Sequence, residues 1–229
     1  MGIFRKIAET LSRFDPKPLP EFKSINNINE IPPASILLFY GGTELTEVVG
    51  NYVYKHPYKP AAFHAAGYLG DGRVLNIGKE AKILDIREQF RSTRRIDVIV
   101  LKDLTTEERE IICKKFERDA NNNFYDVAGF IRYGGQLKIL KFLKKVRSSN
   151  KNDYCSDNVV DNFSEPPLKR PGDSEQTYQS LLLPRKIEVS YNDSENSAPW
   201  HLLEHAMDKD FQNGTRDVLT VWKGMDFRT

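Results

Sequence analysis

Cysteine is scarce in this sequence: Cys113 and Cys155 are the only two among 229 residues. Two cysteines cannot build a disulfide framework. A small scaffold stapled for an oxidising medium is excluded, and a reduced compartment or a reactive thiol is the simpler account. Charge of one sign is also lacking: 34 Lys and Arg stand against 32 Asp and Glu, a net charge of +2. That balance carries none of the electrostatic footprint of a general nucleic-acid binder. No apolar run approaches the roughly 20 residues that cross a bilayer. A P-loop, a dinucleotide fingerprint and an internal repeat are missing as well. What remains is 39% hydrophobic and 29% charged, the balance of a soluble globular protein. The length suits one domain with extensions or two small ones, with enough chain for a core.

The chain opens on a short amphipathic pattern, Met1 to Phe14, with Ile3, Phe4, Ile7, Leu11 and Phe14 on one side. It is too short and too charged for a secretory signal, and Lys6 stands where a myristoylation signal wants Ser or Thr. Packing against its own domain or a partner is the expected role. Asp15-Pro16-Lys17-Pro18-Leu19-Pro20 stops that helix and predicts a stiff, extended linker. Ile36 to Tyr40, ended by Gly41-Gly42, reads as a buried strand, and Glu44 to Tyr54 has the makings of a helix. His56 to Pro60 is a loop rich in breakers.

Further on, Lys82 to Phe90 is weakly patterned, whereas Ile96 to Leu101 is β-branched and apolar, a strand. Thr105 and Glu108 make a capping box for a helix running to about Asp119, with Ile111, Ile112 and Phe116 inward and Cys113 in its core. A helix start is expected at Phe124 to Ile131, and a basic amphipathic helix at Gln136 to Arg147. Leu181 to Tyr191 returns to strand character. The tail predicts a helix from Trp200 to Phe211 and a strand from Val218 to Trp222. His201 and His205 have a spacing that can hold a metal, but no third ligand lies nearby in sequence, so neither a metal nor a cofactor is expected.

Two stretches carry chemistry. In Asn152-Asp153-Tyr154-Cys155-Ser156-Asp157-Asn158-Val159-Val160-Asp161-Asn162-Phe163, Asp153 can cap a helix whose apolar side is Val159, Val160 and Phe163. Cys155 then falls in the first turn, where unpaired N–H groups and the positive end of the helix dipole favour a thiolate, the nucleophilic form. Read alone, the stretch fits a small buried cysteine equally well. The second stretch is a β-hairpin, Phe63 to Leu69 and Arg73 to Ile77 about Gly70-Asp71-Gly72. With a three-residue loop, Leu69 faces Arg73, Ala66 faces Asn76, and His64 and Asn76 are diagonal neighbours on one face. With a two-residue loop, Asn76 turns to the other face.

The order of strand, His hairpin, helices and Cys helix resembles the circularly permuted papain-like cysteine hydrolases of the NlpC-type superfamily, YiiX-like branch. The resemblance rests on Ser35 to Phe39, on Phe63 to Asn76, on the Tyr125-Asp126 pair and on Tyr154 to Val160, in that order. It spans about residues 33 to 190. It implies an α+β, circularly permuted papain-like fold, with an antiparallel sheet or small barrel packed on the nucleophile helix. The implied organisation is an N-terminal helix and linker over 1–30, the permuted domain over 31–191 and a C-terminal extension over 192–229. Asp157 stands where the family often has Glu, Asn76 where an acidic residue is common, and Phe63 where a small residue is usual.

The resemblance implies a cysteine peptidase or amidase without a cofactor. Cys155 and His64 act as a thiolate–imidazolium pair: Cys155 attacks an amide carbonyl, His64 carries the proton, and Asn76 orients the imidazole, which favours the three-residue loop. The Cys155 N–H, Tyr154, Tyr40 and Tyr125 are the candidates for oxyanion or substrate binding. Peptide, peptidoglycan stem-peptide and acyl substrates are all compatible, the last as lipid hydrolysis or acyl transfer. The competing expectation is a non-catalytic docking module whose terminal extensions bind a protein partner. The location expected is cytoplasmic, or within an assembly such as a virion.

Overall fold

The computed structural model describes residues 15–40, 51, 56–77, 81–89, 93, 95–122, 124–125, 152–153, 159, 162–163, 199–207, 214 and 216–222. The helices expected at 1–14 and 136–147 and the strands at 181–191 lie outside the described residues. So does all of the helix expected at 44–54 except Asn51.

The strands are β1 (Lys17–Pro18), β2 (Lys23–Ser24), β3 (Ser35–Phe39), β4 (Tyr58–Lys59), β5 (His64–Gly70), β6 (Arg73–Ile77), β7 (Ala81–Asp85), β8 (Arg95–Leu101), β9 (Phe124–Tyr125), β10 (Asn152–Asp153) and β11 (Arg216–Trp222). The helices are α1 (Ile86–Gln89), α2 (Thr106–Asn122) and α3 (Pro199–Ala206). Seven strands form one sheet in the order β2-β11-β8-β3-β5-β6-β7. It is antiparallel except where β11 meets β2. The molecule is thus a mixed helix-and-sheet structure.

β3 is buried along its whole length, as the unbroken run Ile36-Leu37-Leu38-Phe39 requires of a strand with both faces covered. Its side chains alternate between two apolar layers. Ile36, Leu38 and Tyr40 join Ala65, Leu69, Leu75, Ile99, Ile112, Phe116, Val159, Phe163, Leu202 and Leu203 in a layer beneath the helices. Leu37 and Phe39 join Ala66, Tyr68, Val74, Ile96, Val98 and Val221 in the other. Ile25, Ile28 and Ile31 of the N-terminal segment belong to that second layer, as does Ile86.

The helix from Thr105 forms as its capping box predicts. The Thr105 N–H donates to Glu108 Oε2 at 2.7 Å and the Glu108 N–H to Thr105 Oγ1 at 3.2 Å. Ile112 and Phe116 are buried, while Ile111 and Cys113 are half-buried. α2 lies over β5, β6 and β7. It comes so close at Gly67 that a Cβ there would sit 2.3 Å from Phe116 Cζ. Phe163 meets Phe116 edge to face, with centroids 6.0 Å apart.

Three expectations change. Of the described residues outside 31–191, Lys23–Ser24 and Arg216–Trp222 are strands of the sheet itself rather than appendages to it. β11 sits between β2 and β8, β2 pairs with it, and α3 packs on β11 and β3. The proline segment expected as a linker is tied down as well. Lys17 N–H donates to Pro57 O at 2.8 Å and Leu19 N–H to Lys59 O at 3.1 Å. Phe124–Tyr125, expected to begin a helix, is a short strand paired in parallel with Asn152–Asp153. An alternating pair with no further context cannot be told from a helix turn by pattern alone.

Candidate functional site

The hairpin settles the position of Asn76 in an instructive way. Its turn holds two residues, Asp71 and Gly72, both with positive φ (52° and 74°). Asp-Gly is a favoured sequence for that turn, because both central residues need the left-handed region. Arg73 therefore pairs with Gly70 rather than Leu69. Left at that, Asn76 would face away from His64. A bulge between Tyr68 and Gly70 absorbs one residue, so that Tyr68 pairs with Val74 and Gly67 with Leu75. The shift restores the alternation that puts His64, Ala66 and Asn76 on one face.

His64 Nε2 lies 2.6 Å from Asn76 Oδ1. An amide oxygen only accepts, so Nε2 carries the proton and Nδ1 presents its lone pair. His64 opens β5, opposite Phe39, the last residue of β3. The ring is half-buried at the margin of the sheet, 5.3 Å from the Phe39 ring and 6.3 Å from that of Phe63. Burial pushes the imidazole down to about 4, against a small upward pull from the Asn76 bond. At neutral pH it is an uncharged base.

Cys155 and Tyr154 lie outside the described residues. Their flanks are defined. Asp153, two residues before Cys155, pairs with Tyr125, which brings the Tyr125 backbone alongside the approach to Cys155. Past Cys155, residues 159, 162 and 163 are helical, and Val159 and Phe163 are buried under α2 as the sequence spacing predicts. Those two residues belong to the helix-side layer, whereas His64 and Asn76 face the opposite one.

Tyr40 does not join His64. It follows Phe39 and so turns into the helix-side layer, with its ring 5.6 Å from the Arg95 guanidinium. Arg95 grips buried Asp97 through two bonds, at 2.8 and 3.0 Å, and Thr220 adds a third at 2.7 Å. Burial first, and the Asp97 carboxylate second, hold the Tyr40 phenol well above its ordinary value. Tyr40 thus belongs to a buried polar cluster joining β8 to β11. Burial likewise raises the Cys113 thiol above the ordinary cysteine value, and its sulfur lies 3.9 Å from Leu69 O. A half-buried thiol raised in this way is not an activated nucleophile.

One ring pairing escapes sequence reading. His56 Nδ1 sits 2.5 Å from Glu204 Oε1 on α3. Asn51 holds the same loop, its amide donating to Tyr58 O at 2.5 Å and its oxygen accepting from the Ala61 N–H at 3.3 Å. Nothing local signals a contact across such a separation. Among the described residues no group of three or more His, Cys, Asp and Glu side chains could hold a metal. Among them, too, no helix is long and apolar enough to cross a membrane. No family model matches the chain, and no curated protein or solved structure gives a significant match.

Proposed function

We propose that this chain is a cysteine hydrolase of the circularly permuted papain-like type, cleaving an amide bond in a peptide, isopeptide or peptidoglycan stem peptide. The observation that carries the reading is the His64–Asn76 hydrogen bond at the sheet margin. It fixes the imidazole in the tautomer whose Nδ1 can take a proton. Asp153 and Val159 bracket Cys155 between a strand pair and a helical turn, which suits a thiol at a helix opening.

In this reading the Cys155 thiol proton passes to His64 Nδ1 as Sγ bonds to the carbonyl carbon. The oxyanion meets the Cys155 N–H, with Tyr154 or Tyr125 as further donors. His64 then returns the proton to the leaving nitrogen as the C–N bond breaks. Water, deprotonated by the same ring, releases the acid from the thioester. Asn76 supplies orientation but no charge, so the resting pair is neutral and the imidazolium exists only once the thiolate has formed.

The test is the alkylation rate of Cys155 against pH, with Cys113→Ser as background. At pH 7 the expected rate exceeds that of a free thiol and falls at least tenfold in His64→Ala. Muropeptides and acyl esters then distinguish amide from ester substrates. A thiol alkylated at pH 7 no faster than a free thiol, with a rate that ignores His64, overturns the reading in favour of a non-catalytic docking module.

A further inference from the structure

The sheet face that carries His64 is covered at one end and open at the other. Toward the β5–β6 turn, Ile28 of the N-terminal segment and Ile86 of α1 join Tyr68 and Val74 in a buried layer. The Tyr68 hydroxyl donates to Ile28 O at 3.4 Å, and the Ile86 N–H donates to Gly72 O at 2.8 Å. At the other end the side chains come to solvent. Phe63, His64 and Asn76 are half-buried, and Lys82 is exposed.

The register of β6 on β7 places Lys82 at that open end. It pairs directly with Asn76, so the two side chains leave the sheet on the same side, with Cβ atoms about 5 Å apart. Asn76 in turn holds the His64 ring. Arg73 and Asp85, the other charged residues of β5, β6 and β7 apart from His64, pair with each other across the ladder and share the helix side with Leu75 and Ile77. Glu117 and Arg87 engage them there. Lys82 is therefore the one full positive charge that these three strands place on the His64 face at neutral pH. Adjacent strands lie about 4.8 Å apart, so Lys82, two strands from His64, stands about 10 Å from it. A lysine on an edge strand also discourages pairing with another chain, but either face serves that purpose.

We infer that Lys82 is a specificity-determining residue that selects substrates with a carboxylate about 10 Å from the amide bond to be cleaved, roughly three residues of extended peptide. The inference rests on the cysteine-hydrolase reading, and within it names the substrate class as acidic peptides. A substrate lying on the open end of the face meets the Lys82 ammonium beyond Asn76, which attracts a carboxylate and repels a cation. Phe63, its ring centroid 6.3 Å from that of His64, adds an apolar surface at the sheet margin.

The experiment titrates the full chain with two peptides, acetyl-Ala-Ala-Ala-Glu-amide and its Gln counterpart, and follows the His64 ring signals by NMR, with Cys155→Ser to prevent turnover. The Glu peptide is expected to bind about fivefold more tightly, the size of a partly exposed ion pair, and the preference shrinks at about 1 M NaCl. Lys82→Met brings the two peptides to equal binding and Lys82→Arg keeps the preference. Lys17→Met, which removes an equal charge from exposed β1, leaves it in place. A Glu preference that is absent, that survives Lys82→Met, or that falls equally in Lys17→Met overturns the role of Lys82. A His64 signal that neither peptide moves does the same. Cys155 alkylation in the Cys113→Ser chain, with and without His64→Ala, tests the hydrolase separately. A rate indifferent to His64 overturns the hydrolase whatever the peptides show, whereas a rate that depends on His64, beside an absent Glu preference, overturns Lys82 alone.

Discussion

Two histidines in this molecule each give one ring nitrogen to a side-chain oxygen, and they differ in everything else. His64 Nε2 meets a neutral amide, Asn76, one strand away. His56 Nδ1 meets a carboxylate, Glu204, 148 residues along the chain. His64 is half-buried at the sheet margin, whereas the His56 side chain is wholly buried, edge-on to Tyr58. His56 Nε2 is also buried, with no hydrogen-bond partner among the described residues. Both bonds orient a ring. Only the carboxylate also offers a charge, and that bond joins the loop before β5 to α3. The amide pulls the imidazole up less than burial pushes it down, which leaves His64 neutral at pH 7. The same hydrogen bond therefore ties distant segments in one place and fixes the tautomer of a neutral ring in the other, according to the partner and the exposure of the ring.

The largest test of that contrast is deletion of the tie. His56→Ala removes a buried ring together with its bond to Glu204, and a loss of about 3–4 kcal/mol is expected in denaturant unfolding. A loss below about 1 kcal/mol would show that the pair holds nothing. Next comes acid. The unfolded His64 binds a proton below about pH 6.5, whereas the folded ring waits until about 4. Between those values the unfolded state binds more protons, so stability falls as pH falls, by at most about 3 kcal/mol at the acid end. Unfolding curves of His64→Gln should lack that part of the slope. If the slope is unchanged, the ring is not held neutral.

Smaller effects sharpen the difference in partner charge. Asn76→Asp gives His64 the kind of partner His56 has, and its titration by NMR should move up by one unit or more, about 1.4 kcal/mol. The same variant should raise Cys155 reactivity at pH 7. An unmoved titration would mean that Asn76 does not hold the ring in solution. Last, His64→Ala at pH 7 should cost less than about 1 kcal/mol, since water can reach the half-exposed Asn76 amide. A larger loss would make His64 a structural tie like His56.

Much of the framework was legible because its causes are local. Thr105 and Glu108 announce the α2 start, Asp71-Gly72 announces the turn, and the β-branched run at 96–101 announces β8. Val159 and Phe163 announce a buried helical side. The pairing of His64 with Asn76 was legible only as one of two registers. The deciding bulge between Tyr68 and Gly70 has no sequence mark of its own. The side that Tyr40 faces follows from alternation along β3, yet its cluster with Arg95 and Asp97 depends on β8 lying next to β3 and β11.

By itself the sequence determined β3, β5, β6, β8 and β11 and the helices α2 and α3, since these follow from side-chain period and backbone preference over a few residues. Only the tertiary structure decided that residues 216–222 lie within the sheet, that Glu204 meets His56, and that Lys115 and Asp119 meet Asn162. Those outcomes depend on which distant surfaces bury one another. Contacts made across a hundred residues leave no periodic trace in the chain.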